Sequence, residues 1–102
     1  MMGHQIDFRT LNAAALQSRH LLLSSWLPGG KIQGDEWVAR NPKRPDRHPG
    51  SFKVNLETGR WADFALSDAR GSDLVSLCAY LRNLRQVEAA RELAEELGVR
   101  ID

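Results

Sequence analysis

Residues 49–81 read PGSFKVNLETGRWADFALSDARGSDLVSLCAYL, and this stretch holds two strand signals, a turn and a helix start. Between residues 51 and 56, Phe52, Val54 and Leu56 alternate with Ser51, Lys53 and Asn55, the period of a strand with one buried and one wetted face. Glu57-Thr58-Gly59 supplies a short connection whose glycine tolerates positive φ. Residues 60–65 start a second run, with Trp61 two residues before Asp63 and Ala62 two before Phe64, so the two runs are expected to pair as an antiparallel hairpin. Small, polar and glycine residues over 67–72 end the strand. Ser72 or Asp73 can then cap a helix whose apolar positions, Leu74, Leu77, Cys78 and Leu81, make a single stripe.

Toward the N-terminus, Phe8, Leu11, Ala15, Leu22 and Trp26 form another helical stripe, widened by Leu16 and Leu23. One long helix or two shorter ones is expected over 7–27, with Thr10, Asn12 or Ser18 as possible inner caps and Pro28-Gly29-Gly30 as a firm stop. Residues 34–40, GDEWVAR, are consistent with a short first strand. Residues 41–50, NPKRPDRHPG, hold three of the four prolines, which excludes a helix or an interior strand and makes this a stiffened surface loop. A loop already restrained in φ loses less entropy when a ligand fixes it. Toward the C-terminus, Asn83-Leu84 is a joint. Val87, Ala90, Ala94 and Leu97 mark a last helix ended by Gly98, packed as a hairpin on the helix before it. Residues 99–102 read as a frayed end or the start of a linker.

At 102 residues the chain is expected to form a single domain, 1–102, with a modest core. Hydrophobic residues make up 42% and charged residues 26%, ordinary for a soluble protein, and no apolar run approaches the roughly 18 residues of a membrane span. The N-terminus lacks the pattern of a secretory signal and the single Cys78 excludes an internal disulfide, so a cytoplasmic setting is expected. Cys78 lies on an apolar helix face and is assigned no chemistry. The net charge of +1 is uninformative, but its distribution is polarised. Arg40, Lys43, Arg44, Arg47 and Lys53 stand against Asp46 alone, whereas the last nineteen residues carry three basic and five acidic side chains.

No catalytic constellation emerges. His4, His20 and His48 are dispersed, and no serine sits in a Gly-x-Ser-x-Gly elbow. Asp63, Asp68 and Asp73 are accounted for as a solvated strand residue, a turn former and a helix cap. One cysteine and scattered histidines cannot make the paired ligands of a structural zinc site. Gly29-Gly30-Lys31 follows a helix rather than leading into one, and Asp73 beside Gly71-Ser72 would repel an anion, so neither turn reads as a phosphate loop. No catalytic residue, metal or cofactor is expected. What remains is the basic loop beside strands bearing Trp37, Phe52, Trp61 and Phe64. Cations that track phosphates and rings that stack on bases suit single-stranded nucleic acid.

Taken together, these elements resemble the N-terminal zinc-ribbon domain of bacterial and phage DNA primases. The resemblance is carried by Pro49-Gly50-Ser51-Phe52, Gly59-Arg60-Trp61-Ala62-Asp63-Phe64, Gly71-Ser72-Asp73-Leu74 and Val87-Glu88-Ala89-Ala90, and covers about 21–98. It is closer still to plasmid- and prophage-encoded primase-like proteins, in which Asn-Pro-x-Arg, Gly-Ser-Phe-Lys-Val-Asn and Trp-x-Asp-Phe-Ala occur in this order. In zinc-binding members a Cys-x-x-His and a Cys-x-x-Cys pair hold the metal, and the matching positions here are Asn41 and Arg44, then Ala65 and Asp68. No ligand survives, so the resemblance implies a degenerate, zinc-free ribbon. Asn41 and Asp68 are placed to hydrogen-bond across the gap instead.

The expected fold is therefore α+β: an N-terminal helical segment, a three-stranded antiparallel sheet over 35–40, 51–56 and 60–65, and two C-terminal helices on one sheet face. The expected function is a metal-free, non-catalytic DNA-binding module of a mobile-element replication protein. Its partners would be template DNA, single-stranded by preference, and a primase catalytic domain or helicase, with no membrane. Arg40, Lys43, Arg44, Arg47, Lys53 and Arg60 would neutralise phosphates, and Trp61, if exposed, would be the stacking ring. The competing expectation is a protein-interaction module that docks through the acidic last helix, Glu88, Glu92, Glu95 and Glu96.

Overall fold

The alternation over 51–56 becomes strand β3 (Phe52–Asn55) in the computed structural model, which describes residues 6–43, 51–66 and 68–100. Helices α1 (Phe8–Gln17) and α2 (Arg19–Trp26) precede strands β1 (Lys31–Gln33) and β2 (Glu36–Ala39). After β3 come β4 (Trp61–Asp63), β5 (Arg70–Gly71), α3 (Leu74–Arg82) and α4 (Gln86–Leu97). The N-terminal stripe is thus two helices, broken at Ser18, whose N–H reaches back to Ala15 O at 3.0 Å.

The fold is α+β as expected, but among the described residues the antiparallel sheet has five strands, in the order β1-β2-β3-β4-β5, rather than three. The two additions are the outer strands. β1 has three residues, all exposed, squeezed between Gly29-Gly30 and Gly34, and β5 has two. Neither is long enough to display a period in sequence, and both form because β2 and β4 offer unpaired edges to short neighbouring segments.

Local chemistry explains the joints. Asn55 Oδ1 accepts from Glu57 N and Thr58 N at 2.8 and 2.9 Å, folding the β3–β4 connection, and Gly59 closes it at φ 82°. A side chain at Gly59 would meet both that dihedral and the Leu74 side chain. Asp73 caps α3, accepting from Ser76 N at 2.8 Å. Asn12 reaches from α1 to take a second free amide there, Val75 N, at 3.0 Å. The last two helices form the expected hairpin, and Arg82 on α3 grips Glu92 and Glu96 on α4 at 2.8 and 2.7 Å.

All the helices lie on one side of the sheet. Trp37, Ala39, Phe52, Val54 and Trp61 point inward and join Leu11, Leu23, Leu74, Val75, Leu77 and Leu93 in one buried cluster. Phe52 stacks on Trp61 with ring centres 5.8 Å apart, and Tyr80 of α3 closes the group at 4.9 Å from Trp61. Among the described residues, no helix packs on the other face.

Candidate nucleic-acid interface

The strand register sorts the uncovered face into rows. Lys31, Val38, Lys53, Ala62 and Arg70 are successive partners across all five strands. A cation therefore stands on the first, third and fifth strands, with a small or β-branched apolar residue between each pair. Strands lie about 4.8 Å apart, so the three cations are spaced about 10 Å from one another along a line that crosses the sheet. A second row, Gln33, Glu36 and Asn55, runs beside the first and continues toward Arg60, whose carbonyl accepts from Asn55 N at 2.7 Å. On the other flank Phe64 N donates to Ser51 O at 2.8 Å, which brings the Phe64 ring to the same face.

These rows enclose an open basin of about 610 Å³, lined among others by Glu36, Lys53, Asn55, Arg60, Phe64 and Arg70, within the range of ligand clefts of about 300–1,000 Å³. Phe64 is 71% exposed. Lys53 Nζ lies 5.5 Å from its ring centre, close enough for the ammonium to bias the ring's position on the face. The surface thus combines three cations with one exposed ring.

Of the cations expected from sequence, Lys53 and Arg60 lie in this basin. Arg40 is exposed immediately after β2, where the strand's alternation carries it to the same face. Arg44 and Arg47 lie outside the described residues. Lys43 stands elsewhere, on the helix side of the sheet. Its Nζ donates to Tyr80 O at 2.7 Å and Asn83 Oδ1 at 2.5 Å and sits 4.2 Å from the Tyr80 ring centre, capping the C-terminal end of α3.

The expectation for Trp61 needs correcting. It is 5% exposed, and its Nε1 donates to Ser76 Oγ at 2.9 Å. The indole also lies over Gly71, 2.5 Å from where a Cβ would be. Trp61 belongs to the core because it pairs with Val54, an inward position, and the same register turns its neighbours Arg60 and Ala62 outward. Phe64 takes the role of the exposed ring. Arg70 and Lys31 are the cations that sequence reasoning missed. The signal for Phe64 was present, since Arg60, Ala62 and Phe64 share the period of two, whereas Arg70 and Lys31 become visible only once β5 and β1 exist.

Two of the positions that the sequence resemblance matches to zinc ligands, Asn41 and Ala65, meet polar partners. Asn41 is 1% exposed and Asp63 1%. Asn41 Nδ2 donates to Asp63 Oδ2 at 3.0 Å and to Tyr80 Oη at 2.8 Å. Asn41 Oδ1 accepts from Lys43 N at 2.9 Å, and Asp63 Oδ1 from Ala65 N at 2.9 Å. The expected partner of Asn41, Asp68, is exposed and is not the one it uses. Among the described residues, the Asn41 group that meets Asp63 is an amide donor and Ala65 offers no ligand atom. Among the described residues no three of His, Cys, Asp and Glu converge.

Comparison with known proteins agrees on the fold. No protein-family model matches the chain, and no curated protein does. Among solved structures, the chain is similar to the Aquifex aeolicus primase, comprising zinc-binding and RNA polymerase domains, with a TM-score of 0.76 and 23% sequence identity. The likeness covers 97% of this chain and 23% of that one, so the chain spans about a quarter of that primase's length. The fold is similar to that of the matched part of this primase chain. Among the described residues no helix is long and apolar enough to cross a membrane.

Proposed function

We propose that this chain is a metal-free, primase-type DNA-binding module of a phage or plasmid replication protein, and that it contacts template DNA with the uncovered face of its sheet. The observation that carries this reading is the transverse row of Lys31, Lys53 and Arg70 beside the exposed Phe64 ring. Cations spaced across strands can follow a phosphate backbone while a ring accepts a base, the arrangement by which small sheets hold single strands. The module contributes no catalytic group of its own. Primer synthesis would belong to a separate catalytic domain, with a helicase as a further partner, and a cytoplasmic location follows from that role. Salt-titrated binding of labelled single-stranded and duplex DNA tests the proposal. Single strands are expected to bind more tightly, with affinity falling steeply as salt rises. Salt-independent or absent binding would overturn it.

The competing reading, docking through the acidic last helix, loses support from the side-chain contacts. Glu92 and Glu96 are held by Arg82, and Glu88 accepts from Arg85 N at 2.9 Å. Three of the four glutamates are engaged within the chain.

A further inference from the structure

One side chain in the basin is a group that a phosphate avoids. Glu36 stands directly opposite Asn55 across β2 and β3, and both line the basin with Lys53, Arg60 and Arg70. Among the described residues, no ion pair or hydrogen bond engages the Glu36 carboxylate. Asn55 is half engaged. Its Oδ1 accepts from Glu57 N and Thr58 N, which fixes the amide plane and leaves Nδ2 as the free end. Directly opposite residues hold their Cβ atoms about 4.5–5.5 Å apart. Asn55 and Glu36 therefore put an amide donor and two carboxylate acceptors side by side on one face of the sheet.

The geometry points to Glu36 and Asn55 as a reader of guanine in single-stranded DNA, a refinement that rests on the DNA-binding reading above. Guanine's pairing edge offers the O6 acceptor followed by two donors, N1–H and N2–H2. Asn55 Nδ2 donates to O6, and the two Glu36 oxygens accept from N1–H and N2–H2. The other bases fit worse. Cytosine and adenine offer a single donor group beside acceptors, and thymine one donor between two acceptors, so each sets a carboxylate oxygen against an acceptor or leaves it unpaired. The cations around the pair hold the flanking phosphates, and Phe64 stacks on a neighbouring base.

The test uses a short labelled oligothymidylate whose central residue is replaced by dG, inosine, dA or dC, bound to the whole chain and to its Glu36→Gln variant. The dG oligonucleotide is expected to bind about tenfold more tightly than the dA and dC forms. Inosine, which lacks the 2-amino group, falls between. Glu36→Gln is expected to abolish the preference. Equal affinity for all four central bases, or a preference that survives Glu36→Gln, would overturn guanine reading and leave DNA binding standing. Failure to bind any oligonucleotide would overturn both.

Discussion

Asn41 donates its amide to the carboxyl of Asp63 at 3.0 Å, with both residues 1% exposed, and this bond ties the segment after β2 to the end of β4. The same amide reaches Tyr80 Oη on α3, so three elements meet at one side chain. Buried polar groups that satisfy one another specify an arrangement, and they are costly to break because the partner left behind is unpaired.

Replacing Asn41 by Ala removes both donations at once. About 1.5–3 kcal/mol of stability should be lost with the hydrogen bond to the Asp63 carboxyl, a drop of several degrees or more in Tm for a domain of this size. Urea unfolding measures it. The parent chain should show the same midpoint with chelator, with added zinc and with neither. A midpoint raised by zinc would contradict the hydrogen-bonded clamp.

Trp61 should matter for stability. Trp61→Ala empties a buried site against Phe52 and Tyr80 and should cost about 3–5 kcal/mol. Gly71→Ala should destabilise too, since its Cβ would collide with the Trp61 indole and with Ser76 Oγ. Thermal melts of the two variants check this. Phe64→Ala, by contrast, should leave Tm nearly unchanged and weaken single-strand binding about 5- to 150-fold, the loss of one stacked base.

That contrast shows how far the sequence could be read. The period of two in residues 51–56 and 60–65 located the hairpin, and the cap at Asp73 and the stop at Gly98 located the last helices, because each signal is local. Which ring of Trp61 and Phe64 faces out is fixed by pairing with β3, a relation between segments that period alone leaves free by one residue. The outer strands carry no local signal at all, so Lys31 and Arg70 could not be placed on the face they share with Lys53. Asn41 was legible as a residue at a ligand position, but its partner was not. Asp63 and Asp68 are equally plausible in sequence, and only the strand's alternation turns Asp63 inward.

Cys78 should be inert in the folded chain. Burial pushes its thiol up to about 11, so almost no thiolate exists at pH 8. Alkylation at that pH should be slow in buffer and fast in denaturant. Rapid labelling of the native chain would show that α3 is less well packed than described.

The bond from Arg82 holds the Glu96 carboxyl below its usual range. A depressed folded value means that the stabilisation is complete above the ordinary carboxylate pKa of 4.5 and fades as pH falls through the lower folded value. Glu96→Gln should therefore lower Tm at neutral pH and flatten its decline as pH falls below about 4.5. An unaltered acid limb would show that the ion pair contributes nothing, as many exposed pairs do.

The most direct test of the sheet face as the DNA-contact surface is the salt dependence of single-strand affinity for Lys53→Ala/Arg70→Ala, set beside Arg9→Ala/Arg91→Ala, which removes the same charge from α1 and α4. Each lost phosphate contact lowers the log–log slope by about 0.7 on single strands. The sheet-face pair should lose about 1.4 of slope together with affinity, and the helix pair almost none. Equal slopes for both double variants would contradict the account.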